Sequence, residues 1–301
     1  MKTTHLTALW LLLLVFVACE KNVVPEPGPE PNPPVYLGLS CQGAIVIDAA
    51  NGETFYSVSP DFMLVPASMT KVMTMYIVFD HIEKGYLSLE SQIPVSPYAA
   101  ARSINPGESN VPLNEALTYT VDEMIRALCV VSANACAVAL GEYISGGTEK
   151  DFARIMNHYA DSLGLTAHYD DASGLSSKNG ISPRSMAELT RDFIKRFPNI
   201  LEYTSLTRLN FRGTVYGTTN GMLPGQAYYY NGCDGFKTGY TNAAGLCITA
   251  TAHLADKRVI AVVMKAPNSY LRYQDAAKLM DRGLSVLMNR TTVQGIQSSF
   301  L

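Results

Sequence analysis

The segment Val65-Pro66-Ala67-Ser68-Met69-Thr70-Lys71, with the apolar run that follows it to Gly85, constrains this chain more than any other stretch. From Met69 to Ile82 nearly every residue is apolar or a helix former. Pro66 stands just ahead of the start, and Lys84-Gly85 reads as a stop. A helix that is apolar almost all round is a buried helix, so the rest of the chain has to wrap it. Its first turn nevertheless carries Ser68 and Lys71, and positions three apart share one helix face. A lysine at the top of a buried helix is costly unless it loses its charge or gains partners. Burial and the positive helix N-terminus both push its pKa down. A neutral amine beside a hydroxyl is a base beside a nucleophile. The same residues also fit an N-cap serine followed by a lysine that reaches solvent, so other parts of the chain must decide.

Composition permits a large core. Of 301 residues, 48% are hydrophobic and only 16% charged, which argues against disorder over most of the length. The net charge of −3 and the lack of a long charge run point away from nucleic acid, whose binders carry a basic stripe. No C-x-x-C pair occurs and the histidines are scattered, so neither a metal site nor a cofactor is expected. Cys129 and Cys136 lie seven apart in one helical pattern, about 10 Å along the axis, too far for a disulfide. Buried free thiols are the expectation for them.

Taken in order, residues 1–18 read as an export signal: Lys2, then an uncharged apolar stretch from Leu6 to Val17 that is short for a membrane span. It ends Phe16-Val17-Ala18-Cys19, which resembles a bacterial lipobox, with Cys19 the lipidated residue. Residues 19–35 are a proline-rich linker, a stiff spacer suited to holding a domain off a membrane. The expected folded domain covers 36–289, leaving 290–301 as a short tail. Strands are expected over Gly43–Asp48 and Thr54–Ser59, joined by an Asn51-Gly52 turn. Tyr86 to Thr120 is irregular. Helices are expected over Val121–Ile144, over Glu149–Leu163 and from Ser182-Pro183 to Arg196. Strands return at Gly235–Thr238, Gly245–His253 and Lys257–Lys265, and a helix over Ser269–Leu287 closes the domain. The implied architecture is α/β: one antiparallel sheet built from both chain ends, flanked by helices, with an inserted all-helical subdomain.

Two more short motifs carry chemistry. Ser132-Ala133-Asn134 lies in an apolar stretch. Residues two apart do not share a helix face, but in a loop between helices they could enter one cleft. Without a loop they are helix-interior polar residues bonded to their own backbone. Lys237-Thr238-Gly239 reads as an edge strand beside a cleft. Alternation sends Lys237 and Gly239 to one face and Thr238 to the other, and Gly239 leaves room for a ligand backbone.

In the order S-x-x-K, S-x-N, K-T-G, separated by 64 and 105 residues, these motifs form the set found in penicillin-binding proteins and serine β-lactamases. The chain resembles the low-molecular-mass penicillin-binding proteins, the serine D-alanyl-D-alanine carboxypeptidases. Asp234-Gly-Phe-Lys-Thr-Gly-Tyr-Thr241 and Asp171-Ala-Ser-Gly-Leu175 are similar to that family too, and the likeness runs from about Tyr36 to Leu287. The resemblance implies a β-lactamase/transpeptidase-like fold and a substrate ending in D-Ala-D-Ala, the stem peptide of peptidoglycan. Ser68 would attack its penultimate carbonyl, Lys71 would take the serine proton, and Ser132 would relay a proton to the leaving amine. Asn134 would bind the substrate amide. Lys237 would meet the terminal carboxylate and keep Lys71 uncharged, Thr238 would add a hydroxyl, and Gly239 would leave the strand open. The backbone N–H groups of Ser68 and Tyr240 would form the oxyanion hole. β-Lactam antibiotics would acylate Ser68. The family's anchored members often add a β-rich domain and a C-terminal anchor, whereas only about fourteen residues follow Leu287 here. The N-terminal lipid is expected to replace that anchor and hold the exported protein to a bacterial membrane, facing the periplasm or cell wall.

Three alternatives follow from the same residues. A β-lactamase needs a base for its deacylating water, and the region from His168 to Leu175 offers Asp170 and Asp171 but no glutamate. An endopeptidase or transpeptidase differs only in what reacts with the acyl-enzyme. A non-catalytic penicillin-binding sensor lipoprotein would tolerate loss of Lys71 or Ser132, and both are present.

Overall fold

The structure is a computed structural model that describes residues 35–298, with side chains to residue 290. The signal segment, Cys19 and the linker through residue 34 lie outside the described residues. Strand β1 (Gly43–Asp48) turns into β2 (Thr54–Val58) at Asn51-Gly52. There Gly52 takes φ 81° and the Asn51 side chain accepts the Glu53 N–H, as that dipeptide predicts. A 3-10 turn, Ala67–Thr70, leads into α1 (Lys71–Glu83). The stretch expected to be irregular contains β3 (Gln92–Pro94), α2 (Pro97–Ser103) and β4 (Thr118–Thr120). Helix α2 has a proper start: Ser96 accepts the Ala99 N–H and Pro97 fills the first turn. Its seven residues are too few to show a helical period.

The single helix expected from Val121 to Ile144 is two helices. They are α3 (Val121–Val130), opened by a Thr120–Glu123 capping box, and α4 (Asn134–Ser145). Ser132 sits between them at φ 64°, a left-handed conformation that no helix interior accepts. Cys129 and Cys136 therefore belong to different helices. All five described cysteines are free and buried. Next come α5 (Glu149–Ser162), the short pair β5 (Ala167–His168) and β6 (Gly180–Ile181), and α6 (Pro183–Arg196), capped by Ser182. The structure adds α7 (Ile200–Thr204) and a hairpin of β7 (Arg208–Phe211) and β8 (Thr214–Gly217). The chain finishes with β9 (Cys233–Thr241), β10 (Gly245–Leu254), β11 (Lys257–Ala266) and α8 (Ser269–Ser298). Helix α8 passes its expected end at Leu287, so residues 290–298 are helical rather than a tail.

The main sheet has the order β2-β1-β11-β10-β9, antiparallel throughout. Both ends of the chain therefore supply one sheet, and β1 pairs with β11 from Gly43–Met264 to Asp48–Val259. Alternation divides the sheet between two cores. Ile45, Ile47, Ile260 and Val262 face the helical body, while Ala44, Val46, Val259 and Ala261 face Ala276, Leu279 and Met280 of α8. Cover on both faces explains why all six residues of β1 are buried.

Phe193 of α6 joins the parts that matter for the site. Its ring lies edge-on to Tyr76 and Phe79 of α1, to Phe197 and to Phe236 of β9, at 5.3–5.9 Å between centroids. The buried helix and the edge strand are thus held against a common aromatic centre. Phe193→Ala is expected to lower unfolding free energy by about 3–5 kcal/mol in a urea titration. A loss below about 1 kcal/mol would contradict this role for the cluster.

Candidate active site

Ser68 and Lys71 meet as their spacing predicts. Lys71 Nζ lies 2.9 Å from Ser68 Oγ, 2.6 Å from Asn134 Oδ1 and 2.7 Å from the Ser173 carbonyl. The lysine is fully buried, and among the described residues none of these hydrogen-bond partners is a carboxylate. Burial, and after it the charge of Lys237, holds its amine well below the ordinary lysine range. Asp171 and Glu108 pull the other way, and Arg102 adds to the lowering. The turn that presents Ser68 is itself strained, since Ala67 adopts φ 49°.

The break between α3 and α4 brings the second motif to the same place. Asn134 becomes the first residue of α4 and reaches Lys71. Ser132 lines the cleft at Ser68, and its buried Oγ has no hydrogen-bond partner among the described residues. The third motif arrives on β9, the sheet edge. A Cβ on Gly239 would stand 2.5 Å from the Pro66 carbonyl and 3.1 Å from the Ser68 nitrogen, so only glycine lets this strand lie against the Ser68 turn. Thr238 Oγ1 donates to Thr219 Oγ1 at 3.1 Å, and Thr238, Gly239 and Tyr240 line the cleft.

Lys237 stands elsewhere than expected. It is 1% exposed, its Nζ donates to the Thr238 carbonyl, and burial brings its pKa down to about 8. It does not line the cleft at Ser68, and the cation on the wall is Arg272 of α8. The Arg272 guanidinium is buried, with Nη2 on the Tyr273 hydroxyl at 2.6 Å, and its Nε has no hydrogen-bond partner among the described residues. Sequence reasoning missed this residue because nothing in its spacing ties it to the motifs. Thr219, Ser109 and Glu108 were missed for the same reason.

The Asp171–Leu175 stretch also has a place. The Asp171 carboxylate accepts the N–H groups of Ser173, Gly174 and Ser176, fixing a loop that offers the Ser173 carbonyl to Lys71. Gly174 sits at φ 91° with its would-be Cβ 1.9 Å from the Ala67 carbonyl, so loop and Ser68 turn touch backbone to backbone. Asp170 is held by the Ser176 hydroxyl at 2.6 Å. The cleft holds about 280 Å³. A larger cavity of about 460 Å³ lies beside Tyr98, Arg102 and Glu149, but Ser68 does not line it. The chemistry therefore selects the smaller one.

Residues 30–268 match the D-alanyl-D-alanine carboxypeptidase family. The chain is 30% identical over 256 residues to the D-alanyl-D-alanine carboxypeptidase DacF of Bacillus subtilis, covering 83% of this chain and 63% of that one. It is 32% identical to DacD of Escherichia coli, covering 83% and 64%. The chain thus spans somewhat under two thirds of these curated relatives. Among solved structures, it is similar to PBP3 of Streptococcus pneumoniae, described as a peptidoglycan synthesis regulatory factor. The TM-score is 0.78 and the identity 33%, covering 82% of this chain and 72% of that one. Penicillin-Binding Protein D2 of Listeria monocytogenes, solved in its ampicillin-bound form, gives a TM-score of 0.72 at 29% identity, with 83% of this chain and all of that chain covered. Motifs, fold and matches agree that this chain belongs to the D-alanyl-D-alanine carboxypeptidase family.

Proposed function

We propose that the protein is a serine carboxypeptidase that removes the terminal D-alanine from peptidoglycan stem peptides through an acyl-Ser68 intermediate. The observation that carries this reading is the buried, charge-depleted amine of Lys71 at 2.9 Å from Ser68 Oγ. Lys71 takes the Ser68 proton as the hydroxyl attacks the penultimate carbonyl. The backbone N–H groups of Ser68 and Tyr240 hold the oxyanion. Ser132, whose Oγ is otherwise unbonded among the described residues, passes a proton to the departing D-alanine amine, and Asn134 steadies the substrate amide. Arg272 and Thr238 receive the terminal carboxylate, because Arg272 is the cation on the wall and Thr238 offers it a hydroxyl from the edge strand. Lys237, buried and outside the cleft lining, keeps Lys71 neutral by its charge. Water then releases the acyl group.

β-Lactams enter the same reaction at Ser68. Their slow release is supported by the engagement of Asp171 with three backbone N–H groups and of Asp170 with Ser176, which leaves neither carboxylate poised over Ser68 as a β-lactamase base. The lipobox-like ending at Cys19 and the proline-rich spacer support export and lipid anchoring to a membrane facing the periplasm or cell wall.

D-Alanine release from a peptide ending D-Ala-D-Ala is expected to fall about a thousandfold or more in Ser68→Ala. Equal release by both proteins would defeat the proposal. The rate should fall as pH drops through the pKa of Lys71, because protonation removes the base. That limb should lie far below the ordinary lysine value of 10.5, and a rate still climbing toward pH 10 would contradict a neutral Lys71. Arg272→Gln should reduce kcat/KM for the free-acid peptide by about tenfold to a hundredfold, with little effect on a C-terminal amide. For the anchor, radiolabelled palmitate should mark the native protein but not Cys19→Ser in growing bacteria.

A further inference from the structure

We infer that Glu108 is a positioning residue: it sets the direction of the Asn134 amide and so aims the lone pair of Lys71 at Ser68. The inference rests on the reading of Ser68 and Lys71 as nucleophile and base.

An asparagine amide has two ends of nearly equal size, one acceptor and one donor, and its neighbours decide which way it points. Glu108 Oε2 lies 3.0 Å from Asn134 Nδ2. An ionised carboxylate only accepts, so the end facing it must be the NH2 group. The end facing Lys71 Nζ at 2.6 Å is therefore the oxygen. Glu108 is held in place by Arg102, whose Nε lies 3.2 Å from each carboxylate oxygen and whose Nη2 lies 2.7 Å from Oε2. Asn105 Nδ2 adds a fourth contact at 3.1 Å. The loop that carries Glu108 is fastened to the same helix start. The Asn134 N–H donates to the Ser109 carbonyl at 2.9 Å, and the Ala135 N–H to Asn110 Oδ1 at 2.7 Å.

The consequence follows from counting hydrogens. A neutral amine has two N–H groups and one lone pair. Asn134 Oδ1 and the Ser173 carbonyl are acceptors only, so they take both hydrogens. The lone pair is left for the third neighbour, the Ser68 hydroxyl, which then donates. A reversed amide would donate its own N–H to that lone pair and leave an amine hydrogen pointing at Ser68. The serine would then accept a hydrogen bond from the group meant to remove its proton. Arg102 has a second use here. Its charge opposes that of Glu108 at Lys71, so the pair orients the amide while limiting the pull toward a charged lysine.

The test uses the full chain, with benzylpenicillin as probe and the mass of the Ser68 adduct as readout. In Glu108→Gln the side chain can offer Asn134 either a donor or an acceptor, so the amide loses its fixed direction. The acylation rate constant is expected to fall about a hundredfold, with the dissociation constant of the pre-covalent complex unchanged. The acid limb of the rate should also move to lower pH, because the Glu108 charge favours protonated Lys71 while Lys237 and Arg102 oppose it and Asp171 remains. Glu108→Asp, which keeps the acceptor, should recover part of the rate. A loop that serves stability alone would change the melting temperature and leave the pH limb in place. Native acylation by folded Glu108→Gln, or a loss matched by its unfolded fraction with an unmoved limb, would overturn the inference. Should Glu108→Gln fail to fold, Arg102→Lys keeps the charge but breaks the fork. It should lose about tenfold in rate with binding intact, and a native rate there would equally overturn the inference. A native protein that forms no Ser68 adduct would instead defeat the functional reading beneath it.

Discussion

An amine buried without a carboxylate partner is the constraint around which this molecule is arranged. Lys71 is fully enclosed, and its three hydrogen-bond neighbours are a hydroxyl, an amide oxygen and a backbone carbonyl. None carries the charge that would hold an ammonium in a dry interior, so the neutral form prevails. Each neighbour comes from a different part of the chain, and each needs its own local device. The 3-10 turn with Ala67 in a left-handed conformation presents Ser68. The interruption at Ser132 puts Asn134 at a helix start. The Asp171 carboxylate ties the loop that lends the Ser173 carbonyl.

Topology makes such a meeting possible. Ser68 follows the first hairpin closely, whereas the Lys237 strand lies near the far end of the chain. Pairing β1 with β11 closes the sheet across nearly the whole domain and leaves β9 at its edge. An edge strand is the one position where a backbone can face a ligand instead of a neighbour. Gly174 and Gly239 then let two separate backbones come within contact of the Ser68 turn. The helical insertion supplies the third wall, and the aromatic centre at Phe193 couples that wall's support to both α1 and β9.

Much of this was legible beforehand, for physical reasons that also explain what was not. The terminal strands were readable because β-branched runs are cut by turn residues such as Asn51-Gly52. The Ser68–Lys71 contact was readable because helical geometry fixes i,i+3 neighbours. The helix break stayed one of two readings, because the residues on both sides of Ser132 are apolar and nothing in a serine announces φ 64°. Helix α2 was too short to display a period, although its Ser96-Pro97 start was in plain view. The end of α8 was misplaced because Thr291, Thr292 and Gly295 are poor helix formers, and propensity is a weak prior once a helix is well begun. Arg272 and Glu108 escaped for another reason. Their importance is purely tertiary, and no short-range rule links either to a motif more than twenty residues away.

The arrangement works against stability. In the unfolded chain Lys71 binds a proton at neutral pH, whereas in the fold its depressed pKa releases it. The unfolded state therefore holds more protons, and stability at this residue rises with pH until the ordinary lysine range is passed. At physiological pH the fold carries this residue as a deficit, made up by the aromatic cluster, the two-faced sheet and the clamps on its loops. Lys237 adds to the deficit, since it too is buried with its pKa pulled down to about 8. A core shaped by stability alone would place Met or Leu at such positions. A buried lysine against Ser68, with a second buried lysine whose charge lowers its pKa, makes physical sense only where a neutral amine beside a hydroxyl has chemistry to perform.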